Sequence, residues 1–161
     1  MKDPMKMNKL LSVIMSIAVS LALLTGSIAV PILIRPFYYA QINRLGLENA
    51  SGLSREEIIR AYDEVLDYCI GISDEFSAGV LPFSASGSAH FADCRVLFLL
   101  ELRLLAASVI VIVLLRLYDK RNRLPRLGGH GAPFWGAAGI AAVLATIGIA
   151  AAADFDRAFT V

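Results

Sequence analysis

Three long apolar runs, separated by polar stretches, set the pattern of this chain. The first covers residues 10–34, follows Lys2, Lys6 and Lys9, and is long enough to cross a hydrocarbon core with some tilt. Read as a cleaved signal peptide, it would be cut after Ser27-Ile28-Ala29, but the apolar run continues well past that site, which favours an uncleaved span. The second run, residues 96–117, closes on Arg116, Lys120, Arg121, Arg123 and Arg126. Pro125, Gly128, Gly129, Gly131 and Pro133 then interrupt the chain before the third run, residues 134–153, with Trp135 at its interface. Along this last run Ala137, Ala141, Ala145, Gly148 and Ala152 share a stripe. It is either a seam for another helix or the ordinary surface of an alanine-rich span.

The polar segment 35–95 lies between the first two runs. Arg35-Pro36 ends the first span and Phe37-Tyr38-Tyr39 forms an aromatic belt of the kind found at headgroup depth. Residues 46–52, bounded by glycines, read as a loop. Ser54-Arg55-Glu56-Glu57 is a capping box and predicts an amphipathic helix over 55–70. Ile58, Tyr62, Val65, Leu66 and Cys69 recur on one side of it, and Arg60, Asp63, Glu64 and Asp67 on the other. Residues 73–87 are rich in Ser, Gly and Pro and read as a loop, with a helical pattern returning from Ser88.

Composition agrees with this pattern. Of 161 residues, 57% are hydrophobic, too many for an ordinary soluble domain. The expected fold is an all-α membrane protein with three transmembrane helices and a small helical segment between the first two. The cations place residues 1–9 and the loop 118–133 in the cytoplasm, and leave 35–95 and the tail 154–161 extracytoplasmic. A net charge of +1 leaves no electrostatic footprint for nucleic acid. Cys69 and Cys94 are too far apart in sequence for a zinc pair and lack companion ligands. On the oxidising side of the membrane they either form a disulfide, tying the 55–70 helix to the second span, or stay as two buried thiols.

Candidate chemistry concentrates in residues 82–95, PFSASGSAHFADCR, just before the second span. His90 is suited to accept a proton near neutrality, and Asp93, three residues on, would share its helical face and orient it. The bland alternative is a solvated histidine with Asp93 merely favourable near a helix N-terminus. Ser84, Ser86 and Ser88 lack a nucleophile elbow and read equally well as a hydrogen-bonding loop. Glu101 and Arg103, inside the second span, either snorkel or line a headgroup pocket. His130 lies in the glycine-rich loop. No metal site, phosphate loop or dinucleotide fingerprint is present, so no cofactor is expected.

Phe37-Tyr38-Tyr39, Leu53 to Ile58, Tyr62, Tyr68, Ser84-Ala85-Ser86-Gly87 and His90-Phe91-Ala92-Asp93-Cys94-Arg95 together resemble a bacterial membrane family. It is the one that includes the lipoprotein intramolecular transacylases, and the resemblance covers nearly the whole chain. It implies a multi-pass protein of the bacterial plasma membrane, usually of four spans, that modifies lipoproteins in the cell envelope. The implied reaction is acyl transfer from the glyceryl ester of a lipidated N-terminal cysteine to that cysteine's own α-amino group. The partner would be a diacylglyceryl lipoprotein or membrane lipid. His90 and Asp93 would then be catalytic, and Ser84, Ser86, Arg95 and Glu101 would bind substrate. Ester aminolysis is downhill and needs a neutral amine, which fits a base and the missing energy-coupling motifs. The resemblance also places a second histidine after the third span, so the chain reads as cut at Val161, before the last span. The alternative is a non-enzymatic membrane protein whose outer segment binds a lipid or protein partner.

Overall fold

The computed structural model describes residues 4–153; the tail 154–161, expected to be extracytoplasmic, and Lys2 lie outside the described residues. The chain is helical: α1 (Pro4–Leu33), α2 (Arg35–Arg44), α3 (Leu47–Ser51), α4 (Arg55–Cys69), α5 (Ala85–Asn122) and α6 (Ala132–Ala153). Among the described residues the only β-type pairing is an isolated bridge between Leu127 and His130. α1, α5 and α6 are each long and apolar enough to cross a membrane. Large hydrophobic side chains such as Leu10, Ile17, Ile110, Leu114, Val143 and Ile149 are exposed along them. Such continuous apolar surface is untenable in water and expected against lipid, so this is a multi-pass membrane protein.

The chain divides into two compact units. One comprises the residues up to Leu24 together with those from Leu104 on. Its close approach is at Gly136, where a Cβ would come within 2.6 Å of the Val19 side chain and 2.8 Å of the Ser16 carbonyl oxygen. Ser20 Oγ donates to the Gly136 carbonyl at 2.7 Å, and Ser12 Oγ to the Pro125 carbonyl at 3.0 Å. Helices pack this tightly in lipid because small residues let backbones meet and hydroxyls bond across. The stripe running from Ala137 to Ala152 is not this seam: Ala132 and Gly136 are buried, while Ala137, Ala141, Ala145 and Gly148 are exposed.

The other unit is Thr25–Arg103. After a break at Ile34 the chain resumes at once as α2, so the aromatic belt is itself helical. The stretch 46–52 is not a loop: it folds as α3 between Gly46 at φ +62° and Gly52 at φ +72°. Glycine supplies this left-handed conformation at helix boundaries as readily as in loops, which is why sequence alone reads it as a loop. The capping box forms at α4: Ser54 Oγ accepts from the Glu57 N–H at 3.3 Å, and Glu57 Oε2 accepts from the Ser54 N–H at 2.8 Å. α4 buries Ile58, Ala61, Leu66 and Cys69. α5 begins at Ala85 rather than near Ser88 and runs unbroken for 38 residues, about 57 Å, well beyond a hydrocarbon core of about 30 Å.

Candidate functional site

The start of α5 is set by Ser84. Its Oγ accepts from the Gly87 N–H at 3.0 Å and meets Ser86 Oγ at 3.0 Å, while its carbonyl accepts from the Ser88 N–H at 3.0 Å. This is an N-cap: it satisfies a donor that helix geometry leaves orphaned, and it carries the helix through the polar run without a break. His90 therefore stands on a rigid helix about 9 Å before the apolar run beginning at Val96.

The group that meets the His90 imidazole is not Asp93. Cys94, one full turn on, places Sγ 3.5 Å from His90 Nε2. Asp93 is exposed and makes no hydrogen bond to the ring among the described residues. His90 also touches Phe91 edge to face at 5.7 Å. Phe91 stacks on Phe76 at 4.8 Å, and Phe76 meets Phe83 at 4.9 Å and Tyr68 at 5.3 Å. These rings pack the 73–83 loop against the first turns of α5 and the end of α4, leaving the imidazole exposed beside them.

Arg95 is engaged in the same packing. Its guanidinium donates to the Ser73 carbonyl at 2.5 Å and to Asp74 Oδ1 at 3.0 Å, and lies 4.8 Å over the Tyr68 ring. It clamps the loop after α4 onto α5. Both cysteines are free thiols and no disulfide joins them: Cys69 is buried and Cys94 half-buried. Burial, and then the charge of a Cys94 thiolate, push the Cys69 thiol up. Glu101 shares the stripe of His90 and Cys94 along α5, two turns below Cys94. Both of its carboxylate oxygens are sealed off and have no hydrogen-bond partner among the described residues. His130, in the basic loop, stacks on Phe134 at 4.1 Å and contacts the Gly128 carbonyl at 3.0 Å, remote in sequence from this cluster. No group of three or more potential metal ligands occurs among the described residues.

A second polar cluster escapes sequence reasoning. Arg35 reaches Asp63 at 3.2 Å and also pairs with Asp67, while the Tyr39 hydroxyl donates to the Asp63 carboxylate at 2.7 Å. Tyr38 stacks on Tyr62 at 3.9 Å beside it. The hydrogen bond to Asp67 pushes the Arg35 guanidinium up, and burial, followed by the neighbouring Asp63, raises the Tyr39 phenol. The signal present in sequence is the i, i+4 pair of acids on the polar side of α4. Between α2, α3 and α4 lies an apolar groove of about 460 Å³ lined by Leu47, Leu53, Ile58, Tyr62 and Val65 among others, which holds none of the candidate chemistry.

The same architecture occurs in solved structures. In meso structures of the membrane integral lipoprotein intramolecular transacylase Lit from Bacillus cereus match at 17% identity. One has a TM-score of 0.76 and covers 96% of this chain and 70% of its own. Two variants of that protein, each with a histidine replaced, by arginine or by alanine, have TM-scores of 0.79 and cover 96% of this chain and 67% and 68% of theirs. At that identity the likeness concerns the fold. No curated protein matches the sequence. The family model of the lipoprotein intramolecular transacylase Lit matches residues 13–161, and the chain therefore belongs to that family.

Proposed function

We propose that the protein is an intramolecular acyltransferase of lipoproteins, with His90 as its base. The acyl chain would pass from the glyceryl ester of a lipidated N-terminal cysteine to the α-amino group of the same residue. The observation carrying this reading is an exposed imidazole on a continuous helix, about 9 Å before the helix turns apolar, in a chain of the Lit family.

An α-amine is mostly protonated at neutrality, so attack on an ester needs a neighbouring base to take a proton as the carbon–nitrogen bond forms. Donor and acceptor sit on one substrate molecule, so holding it at the helix start supplies much of the rate through proximity. The exposed Leu97 and Leu100 below His90 offer apolar surface for the acyl chain. Glu101 lies on the same stripe with its carboxylate enclosed, out of direct reach of a substrate, and Ser86 lies close to the cap. Ser84 and Arg95 act through structure, the first by capping α5 and the second by fixing the 73–76 loop. The lysines and arginines at 6–9 and 116–126 favour a cytoplasmic location for those segments, with residues 35–95 outside where lipoprotein N-termini reside.

The test is expression of the protein in a bacterial strain lacking other N-acylating enzymes, followed by mass spectrometry of lipoprotein N-termini. The expected product is an N-acyl, monoacylglyceryl lipoprotein, lost in His90→Ala. An unchanged diacylglyceryl form, in cells where the protein is membrane-inserted, would refute the reading.

A further inference from the structure

We propose that the basic end of the molecule holds the phosphate of an anionic phospholipid, in a cavity of about 620 Å³ between α1, the end of α5, the loop that follows and the start of α6. The proposal does not depend on the acyl-transfer reading. Arg116, Asp119, Lys120 and Arg123 fall at i, i+3, i+4 and i+7, and so share one face running off the end of α5. Arg126 joins them on the cavity wall from the loop, and Ser12 from α1. Asp119 is the one acid on this wall among the described residues, and its Oδ1 accepts from the Leu124 N–H at 2.6 Å. None of the four cations pairs with an acid among the described residues. Like charges gathered on one concavity repel, and an anion between them removes that cost. Topology alone asks for cations on this side of the membrane, not for their convergence: Arg121, in the same stretch, is not on the wall.

The wall is held by specific contacts. Ser12 Oγ donates to the Pro125 carbonyl at 3.0 Å, Trp135 Nε1 donates to the Leu127 carbonyl at 2.7 Å, and the Arg123 N–H donates to the Asp119 carbonyl at 2.9 Å. Arg123 has φ +48° and is the one non-glycine residue at positive φ among the described residues. It directly follows the last residue of α5, a position where this backbone is ordinarily given to glycine because a Cβ is costly there. The chain carries an arginine instead, and that arginine lines the cavity.

Depth selects a lipid over a soluble anion. Ser12 lies just inside the apolar run 10–34, Arg116 just before the end of the run 96–117, and Pro133 immediately before the run 134–153. All three spans therefore bring the cavity to the level where hydrocarbon gives way to headgroups. Val113 and Val109, one and two turns further into the span on the face of Arg116, are exposed and offer surface for an acyl chain. Four cations against one acid favour a headgroup of net negative charge, such as phosphatidylglycerol, over phosphatidylcholine, whose ammonium they would repel.

The test uses the purified full chain in detergent, with native mass spectrometry counting bound lipid during titration with phosphatidylglycerol or phosphatidylcholine, each with and without millimolar inorganic phosphate. Phosphatidylglycerol is expected to bind about tenfold tighter than phosphatidylcholine or better, and inorganic phosphate to leave it in place. Arg116→Gln and Lys120→Gln are each expected to weaken phosphatidylglycerol about fivefold, and Arg121→Gln, the same change of charge off the cavity, to stay within about twofold of wild type. Arg123→Gly is expected to weaken binding by the same factor of about five while the lipid-free melting temperature holds or rises, since glycine relieves the backbone. That variant separates a lost ligand contact from a damaged fold. A loss in Arg121→Gln as large as in Arg116→Gln and Lys120→Gln would reduce the binding to diffuse surface charge and overturn the proposal. Equal affinity for the two lipids, or displacement of phosphatidylglycerol by inorganic phosphate, would overturn it as well.

Discussion

Replacing Arg35 by alanine asks whether charge holds α2 to α4. The guanidinium reaches Asp63 at 3.2 Å and also contacts Asp67, and the three side chains keep only 25%, 28% and 30% of their surface exposed. A hydrogen bond to a charged group inside a protein contributes about 1.5–3 kcal/mol, and a pair at the surface about 0.2–1 kcal/mol. Partial solvent screening places each contact here near 1 kcal/mol, so losing both costs about 2 kcal/mol. That corresponds to about a 30-fold rise in the population of locally opened α4. Cys69 reports the opening, because it is buried on α4 two residues beyond Asp67. In a Cys94→Ala background at fixed pH, Arg35→Ala is expected to speed maleimide labelling of Cys69 by about 30-fold. Arg35→Lys keeps the charge but loses the planar fork, and should fall between the two. Adding Asp63→Asn and Asp67→Asn to Arg35→Ala should recover part of the loss, since no uncompensated acid then remains. Labelling of Arg35→Ala within about twofold of its parent, the range of an ordinary surface substitution, would refute the reasoning.

Other expectations follow from single contacts. The carboxyl of Glu64 is held down to about 2 by Arg60, then by Ser77 and the Gly79 N–H. Its contribution to folding is therefore full above the ordinary value near 4.5 and is lost as pH falls through about 2. Thermal melts followed by circular dichroism in that window should show Glu64→Gln less stable than wild type at its upper end, with the difference vanishing at its lower end. Gly136→Ala puts a Cβ 2.6 Å from Val19 and 2.8 Å from the Ser16 carbonyl, whereas Gly139→Ala meets only Ser20 Oγ at 3.4 Å. The first should cost about 1–3 kcal/mol in detergent unfolding and the second close to nothing. Ser84→Ala removes the α5 cap, costing about 1 kcal/mol, and hydrogen exchange should show faster opening of the 85–90 amides.

How much of this was legible follows from the range of the interactions. The three spans and the α4 capping box depend on neighbours within a turn or on one long run of like residues, and sequence carries both in full. The Arg35 cluster pairs residues 24 to 32 positions apart, and nothing local to Asp63 or Asp67 separates an acid facing water from one facing a guanidinium. Its traces in the sequence are the acids at i and i+4 and an arginine at the end of an apolar run. The glycines at 46 and 52 were read for the conformation they permit and misassigned, because the same left-handed backbone closes a helix and turns a loop.

The cluster at His90 falls between these cases and shows what a helix register decides. From sequence, both Asp93 at i+3 and Cys94 at i+4 could reach the imidazole, since either spacing puts side chains on one face. Chemical habit favours the acid, which would orient the ring; the side-chain geometry brings the thiol to 3.5 Å instead. The two partners imply different restraints on the same histidine. A carboxylate would fix the ring's tautomer and steady its cation; a thiol at 3.5 Å leaves the ring without a charged partner as it meets the amine. An Asp93→Asn variant separates them without touching the sulfur. Where no carboxylate orients the ring, Asp93→Asn converts lipoprotein within about twofold of wild type. A loss matching that of His90→Ala would return the acid to the ring.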